Sequence, residues 1–89
     1  MAKFLAVHPV GKEMTLERGT PVGKAVKASC TVDAYWVRSW YAREEGKFYC
    51  EWDAKDAESI RQVITKAAPD FPIEGIYKME FMVHGEDFR

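Results

Sequence analysis

Few side chains in this 89-residue sequence could do chemistry on their own. There are two histidines, His8 and His84, and two cysteines, Cys30 and Cys50. An imidazole beside carboxylates makes a nitrogen–oxygen donor set that suits Ni²⁺, Zn²⁺ or Cu²⁺. His8, Glu51 and Asp53 are the candidates for such a set, since each falls at or near the end of a strand-like run. No local motif supports them: H-E-x-x-H, paired cysteines and Ca²⁺-loop spacing are all missing. Trp36, Arg38 and Trp40, alternating along one segment and joined by Trp52, could line a ligand pocket or form a cation–π site. The same aromatic residues suit a packed strand with a dimer contact equally well. Ser29, Ser39 and Ser59 have no histidine at a recognisable spacing, and neither cysteine has an evident base. Binding is therefore a better expectation than catalysis.

Charge and composition narrow the partners. Thirteen Lys and Arg against fourteen Asp and Glu leave a net charge of −1, so no basic field advertises nucleic acid or an anionic membrane. Gly46-Lys47-Phe48-Tyr49-Cys50-Glu51-Trp52 has aromatic residues but not the order of an RNA-recognition strand. Gly11-Lys12-Glu13 lacks the upstream glycine and the Ser or Thr of a phosphate loop. No run approaches the ~20 apolar residues that cross a bilayer. The opening Phe4–His8 run is too short for a signal peptide, which leaves the cytoplasm as the expected compartment. There Cys30 and Cys50 remain thiols, and burial is their plain role.

The elements that must position these residues follow from periodicity. Phe4 to His8 reads as a strand ended by Pro9, and Val10–Gly19 as a loop tacked down by Met14 and Leu16. Thr20-Pro21 reads as a helix start, with a stripe of small residues on Val22, Val26 and Cys30 and an end near Asp33. Tyr35–Ala42 and Phe48–Trp52 read as a hairpin turning at Gly46, with Phe48, Cys50 and Trp52 on one face. Asp53 or Asp56 caps a second helix through Ile60, Val63 and Ile64, which Pro69 stops. Ile73–His84 reads as a last strand.

The order β-α-β-β-α-β in one domain, residues 1–89, points to an α+β ferredoxin-like sandwich: a four-stranded antiparallel sheet with two helices on one face. With the first and third strands taken as parallel neighbours, His8, Glu51 and Asp53 come to one rim. The strands carry more aromatic surface than one core layer absorbs and the second face is left open, so a homodimer through that face is expected, with Tyr35 and Tyr49 in the contact.

From Trp36 onward the chain carries Trp36-Val37-Arg38-Ser39-Trp40-Tyr41, then Gly46, then Phe48-Tyr49-Cys50-Glu51-Trp52-Asp53-Ala54, then Asp56-Ala57-Glu58-Ser59-Ile60-Arg61. This run resembles a small ferredoxin-like family first catalogued as a domain of unknown function and later described as nickel-binding. That family's pattern has an R-S-Y strand, a turn, an F-C-x-[YF]-x-A strand and a helix opening with acids and I-R. Trp40 stands where the pattern has Tyr, and Glu51 where it is more often apolar. The resemblance implies a homodimer that holds Ni²⁺ or another divalent transition metal at its surface, serves metal sequestration and needs no organic cofactor. The second expectation is a small-molecule-binding protein or cofactor-free enzyme with the Trp36, Arg38, Trp40 and Trp52 pocket. A cavity containing His8 or Arg38 would favour it.

Overall fold

In the computed structural model, which describes residues 1–89, the elements are β1 (Ala2–His8), α1 (Leu16–Ser29), β2 (Ala34–Ala42), β3 (Lys47–Ala54), α2 (Ala57–Ala67) and β4 (Gly75–Met79). A 3₁₀ turn over Gly85–Phe88 follows. The four strands lie in the order β2-β3-β1-β4, every neighbouring pair antiparallel. This is the ferredoxin-like α+β sandwich expected from the element order.

One expectation about its interior needs correction. β1 and β3 are adjacent but antiparallel, with Ala2 opposite Ala54 and His8 opposite Phe48. The reason lies in the connections. A right-handed crossover through α1 sets β2 parallel to β1, and the β2–β3 hairpin then reverses the chain.

Alternation sorts the strands into two faces. Phe4, Ala6 and His8 of β1, with Cys50, Trp52 and Ala54 of β3, turn toward the helices and are buried. α2 lies down firmly on them, because Ile60, Val63 and Ile64 recur at helical spacing and are all buried. Asp56 is its N-cap, accepting from the Ser59 N–H at 2.8 Å, and its last residue, Ala67, stands just before Pro69. α1 begins five residues earlier than Thr20-Pro21 suggests. Thr15 is its N-cap, Pro21 is tolerated inside it, and the helix ends at Ser29 rather than near Asp33. Pro21 is exposed, so the carbonyl it leaves without a partner can turn to solvent. Only Val26 of this helix is buried.

The hairpin turns at Gly46, whose φ of +66° is the left-handed conformation glycine permits. A side chain there would also stand 3.1 Å from the Gly11 backbone. β4 ends at Met79, well short of His84, because Lys3 is its last partner on β1 and no further strand is available. Beyond it Phe81, Met82, Val83 and Phe88 are exposed. The chain presents 6197 Å² of surface, against about 5,300 Å² for a compact protein of its mass.

Candidate functional site

Strand sidedness decides which residues can meet. In β2 the ladder pairs Trp36 with Trp52 and then Arg38 with Glu51, so Val37 is an extra, bulged residue. The bulge puts Trp36 and Arg38 on opposite faces, where strict alternation would put them together. Trp36, Ser39 and Tyr41 face the helices, while Arg38 and Trp40 face the uncovered side. Tyr35 also lies on the uncovered side, opposite Asp53, and Tyr41 does not share its face.

The rim of His8, Glu51 and Asp53 does not come together. Glu51 and Asp53 lie on the uncovered face, opposite Leu5 and Lys3, while His8 is at the far end of β1 and turned inward. The two carboxylates already hold a cation. Lys3 Nζ is 2.6 Å from Glu51 Oε2 and 2.7 Å from Asp53 Oδ1, and Arg38 Nε is 3.1 Å from Glu51 Oε1. Hydrogen bonds and charge from Asp53 and Glu51 raise the Lys3 pKa above its ordinary value. Nowhere do three His, Cys, Asp or Glu side chains gather as a metal site requires. These residues do not fit nickel as a single intrachain centre.

A different site forms between α1 and the sheet. A cavity of about 480 Å³ opens there. Its floor is the inward face of the sheet: His8 of β1, Trp36, Ser39 and Tyr41 of β2, and Phe48, Cys50 and Trp52 of β3. Its roof is α1, through Gly19, Val22, Gly23 and Val26, and Ile64 and Phe71 close the inner end. The roof can arch because α1 offers small residues. A Cβ on Gly23 would meet the Trp36 ring at 3.4 Å.

The loop before α1 is strapped across the mouth. Tyr41 donates its hydroxyl proton to the Gly11 carbonyl at 2.6 Å, and Arg43 Nη1 donates to the Lys12 carbonyl at 2.9 Å. Gly11 N–H donates to the Gly46 carbonyl at 2.9 Å. Of the two residues expected to tack this loop to the body, Met14 is half-buried at the cavity, whereas Leu16 is 92% exposed beside its entrance.

Polar chemistry inside the cavity is sparse and defined. His8 Nδ1 donates to the Pro72 carbonyl at 2.8 Å, which leaves Nε2 as the bare acceptor. Burial pushes the His8 pKa down despite that bond, so the ring is neutral near pH 7. Phe71 packs on it with ring centres 4.6 Å apart. Trp36 Nε1 donates to Ser39 Oγ at 2.8 Å, and Ser39 in turn donates to Cys50 Sγ at 3.0 Å. Burial pushes the Cys50 thiol up to about 11, and the Ser39 bond offsets only part of this. Cys50 is therefore a protonated wall group rather than an activated nucleophile. Trp52 Nε1 is buried with no partner.

Of the pocket residues suggested by sequence, Trp36 and Trp52 line this cavity, and Arg38 and Trp40 do not. His8 belongs to it, in a role other than rim ligand. Ser39, Tyr41, Phe48 and Phe71 went unrecognised. The inward register of Phe48, Cys50 and Trp52 was a usable signal for the floor; the bulge that turns Trp36 inward carried none. Tyr49 lies opposite Trp40 on the uncovered face, and Tyr35 is half-exposed there with Lys27 Nζ 3.6 Å from its ring centre.

No helix is long and apolar enough to cross a membrane. Residues 4–79 match a family described as nickel responsive protein, SCO4226-like. The crystal structure of SCO4226 from Streptomyces coelicolor A3(2) is similar at a TM-score of 0.80 and 19% identity, covering 92% of this chain and 100% of that one. At that identity the likeness speaks for the fold alone. No curated protein matches the chain. Because the family match runs from β1 to the end of β4 and takes in both helices, the chain belongs to the SCO4226-like family of nickel-responsive proteins.

Proposed function

We propose that this chain binds a small, largely apolar molecule in the cavity between α1 and the sheet, without transforming it. The cavity itself carries the reading. At about 480 Å³ it falls within the range of sites for small organic molecules. Its wall is aromatic and aliphatic with a few fixed polar groups, as such sites are built. The neutral His8 and protonated Cys50 supply no nucleophile–base pair, because their bonds go to Pro72 and Ser39 instead of to each other.

N-phenyl-1-naphthylamine, an uncharged dye that fluoresces in apolar surroundings, provides the test. The protein should give a saturable rise in its emission. Gly19→Phe, which places a ring at the roof where nothing now stands within 4 Å of a Cβ, should lower the affinity more than tenfold. Equal titrations of the two proteins, both folded by circular dichroism, would remove the reading.

The family description favours a second reading: a cytoplasmic homodimer, joined through the uncovered face, that takes up nickel or another divalent transition metal. Four exposed apolar side chains on that face, Tyr35, Trp40, Tyr77 and Met79, support the dimer. Because no single chain gathers three ligands, metal uptake would draw ligands from two copies. Nickel titrated into tag-free protein should then give a saturable heat with whole-number stoichiometry per dimer. An absent heat at micromolar nickel ends this reading.

A further inference from the structure

We infer that Nε2 of His8 is the recognition group of the cavity, and that it selects an uncharged, mainly apolar molecule bearing a hydroxyl that donates to it. The inference rests on the cavity being a ligand site and adds the class of ligand.

The Pro72 carbonyl can only accept, so its bond with Nδ1 at 2.8 Å fixes the ring proton there and leaves Nε2 a pure acceptor. No donor in the chain reaches Nε2. Trp52 Nε1, the other unpartnered nitrogen on this wall, is sealed in; Nε2 is not. His8 as a whole is 1% exposed, so the opening admits one small group at the ring edge. Buried acceptors in native proteins almost always have a partner, and this one calls for a donor from outside the chain. The neighbouring hydroxyls are engaged elsewhere. Ser39 donates to Cys50 Sγ, Tyr41 to the Gly11 carbonyl at the mouth, and Thr20 to the Leu16 carbonyl.

Charge and shape set the rest of the class. No carboxylate stands on the cavity wall, and the one formal charge there, Arg43, donates to the Lys12 and Met14 carbonyls at the entrance. An ammonium seated at His8 would therefore lie unpaired in an apolar site, and a carboxylate has no proton to give. A neutral hydroxyl meets the acceptor without either difficulty. Phe71 and Phe48 lie beside the imidazole, with ring centres 4.6 Å and 6.4 Å from it and their own planes 86° apart. A further ring packs edge-to-face in such a corner, so the hydroxyl is best carried on an aromatic ring.

The probes are 2-naphthol, its methyl ether and naphthalene, one bicyclic frame in which only the naphthol can donate. In long-range ¹H–¹⁵N spectra of the wild-type protein, the His8 Nε2 resonance should lie upfield in the naphthol complex relative to the other two. The naphthol should bind about tenfold more tightly than the ether, the effect of one hydrogen bond to an otherwise orphaned group. His8→Phe, which keeps a ring against Phe71, should abolish that preference. If that variant does not fold, the wild-type spectra decide alone. The same Nε2 position in all three complexes, or a preference that survives His8→Phe, overturns the inference and leaves the cavity reading standing. Failure of all three probes to bind overturns the two together.

Discussion

The two helices cover the same face of the same sheet and treat it in opposite ways. α2 sends Ile60, Val63 and Ile64 into the core, and of these only Ile64 borders the cavity. α1 is three residues longer, buries only Val26, and arches over a cavity. Residue size accounts for the contrast. Branched side chains at helical spacing pull α2 down, whereas Gly19, Val22 and Gly23 leave α1 too little bulk to fill what Trp36 and Trp52 do not. One half of the layer is packed core, and the other leaves open volume.

If that division holds, truncation must be costly under α2 and mild under α1. Ile60→Ala should lower the unfolding free energy by about 2–5 kcal/mol in urea, since a completely buried side chain leaves a new void. Val22→Ala, beside space that is already open, should cost about 1 kcal/mol or less. Equal losses would dissolve the contrast. Gly46→Ala probes the strap that ties the α1 side together. Its positive φ and the Gly11 backbone at 3.1 Å should cost about 1–2 kcal/mol in the same measurement.

The smallest effect concerns His8, at the end of the cavity. Its folded-state pKa is lowered, so as pH falls the unfolded chain takes up the proton first. Stability should be level well above the ordinary histidine value of about 6.5 and decline as pH drops from there toward the folded pKa. Urea unfolding between pH 7.5 and 5.5 should show this slope in the wild type and a weaker one in His8→Gln. An unchanged slope would mean that the imidazole is not held neutral by its surroundings.

Local signals in the sequence carried most of the architecture. Cys50 and Trp52 facing inward, the Asp56 cap, the stop at Pro69 and the Gly46 turn each have a cause within a few residues, and each lies where those causes put it. The start of α1 was misplaced because Thr15 and Thr20 both resemble caps and the proline after Thr20 favours the wrong one. The site suffered more. Its metal version depended on strand direction, which no residue encodes and only the count of connections fixes. The facing of Trp36 depended on the Val37 bulge, and a valine fits a regular strand just as well. The cavity is a deficit of volume under α1, and a stripe of small residues reads the same whether a helix packs close or stands off.

Lys3, Arg38, Glu51 and Asp53 form a closed group on the uncovered face, two positive charges against two negative ones. That patch is its own counterion. Whatever settles on it meets tryptophan and tyrosine rings around a neutral centre, with little long-range field to steer the approach. Such an encounter would respond weakly to added salt and strongly to the loss of a single ring, Trp40 first.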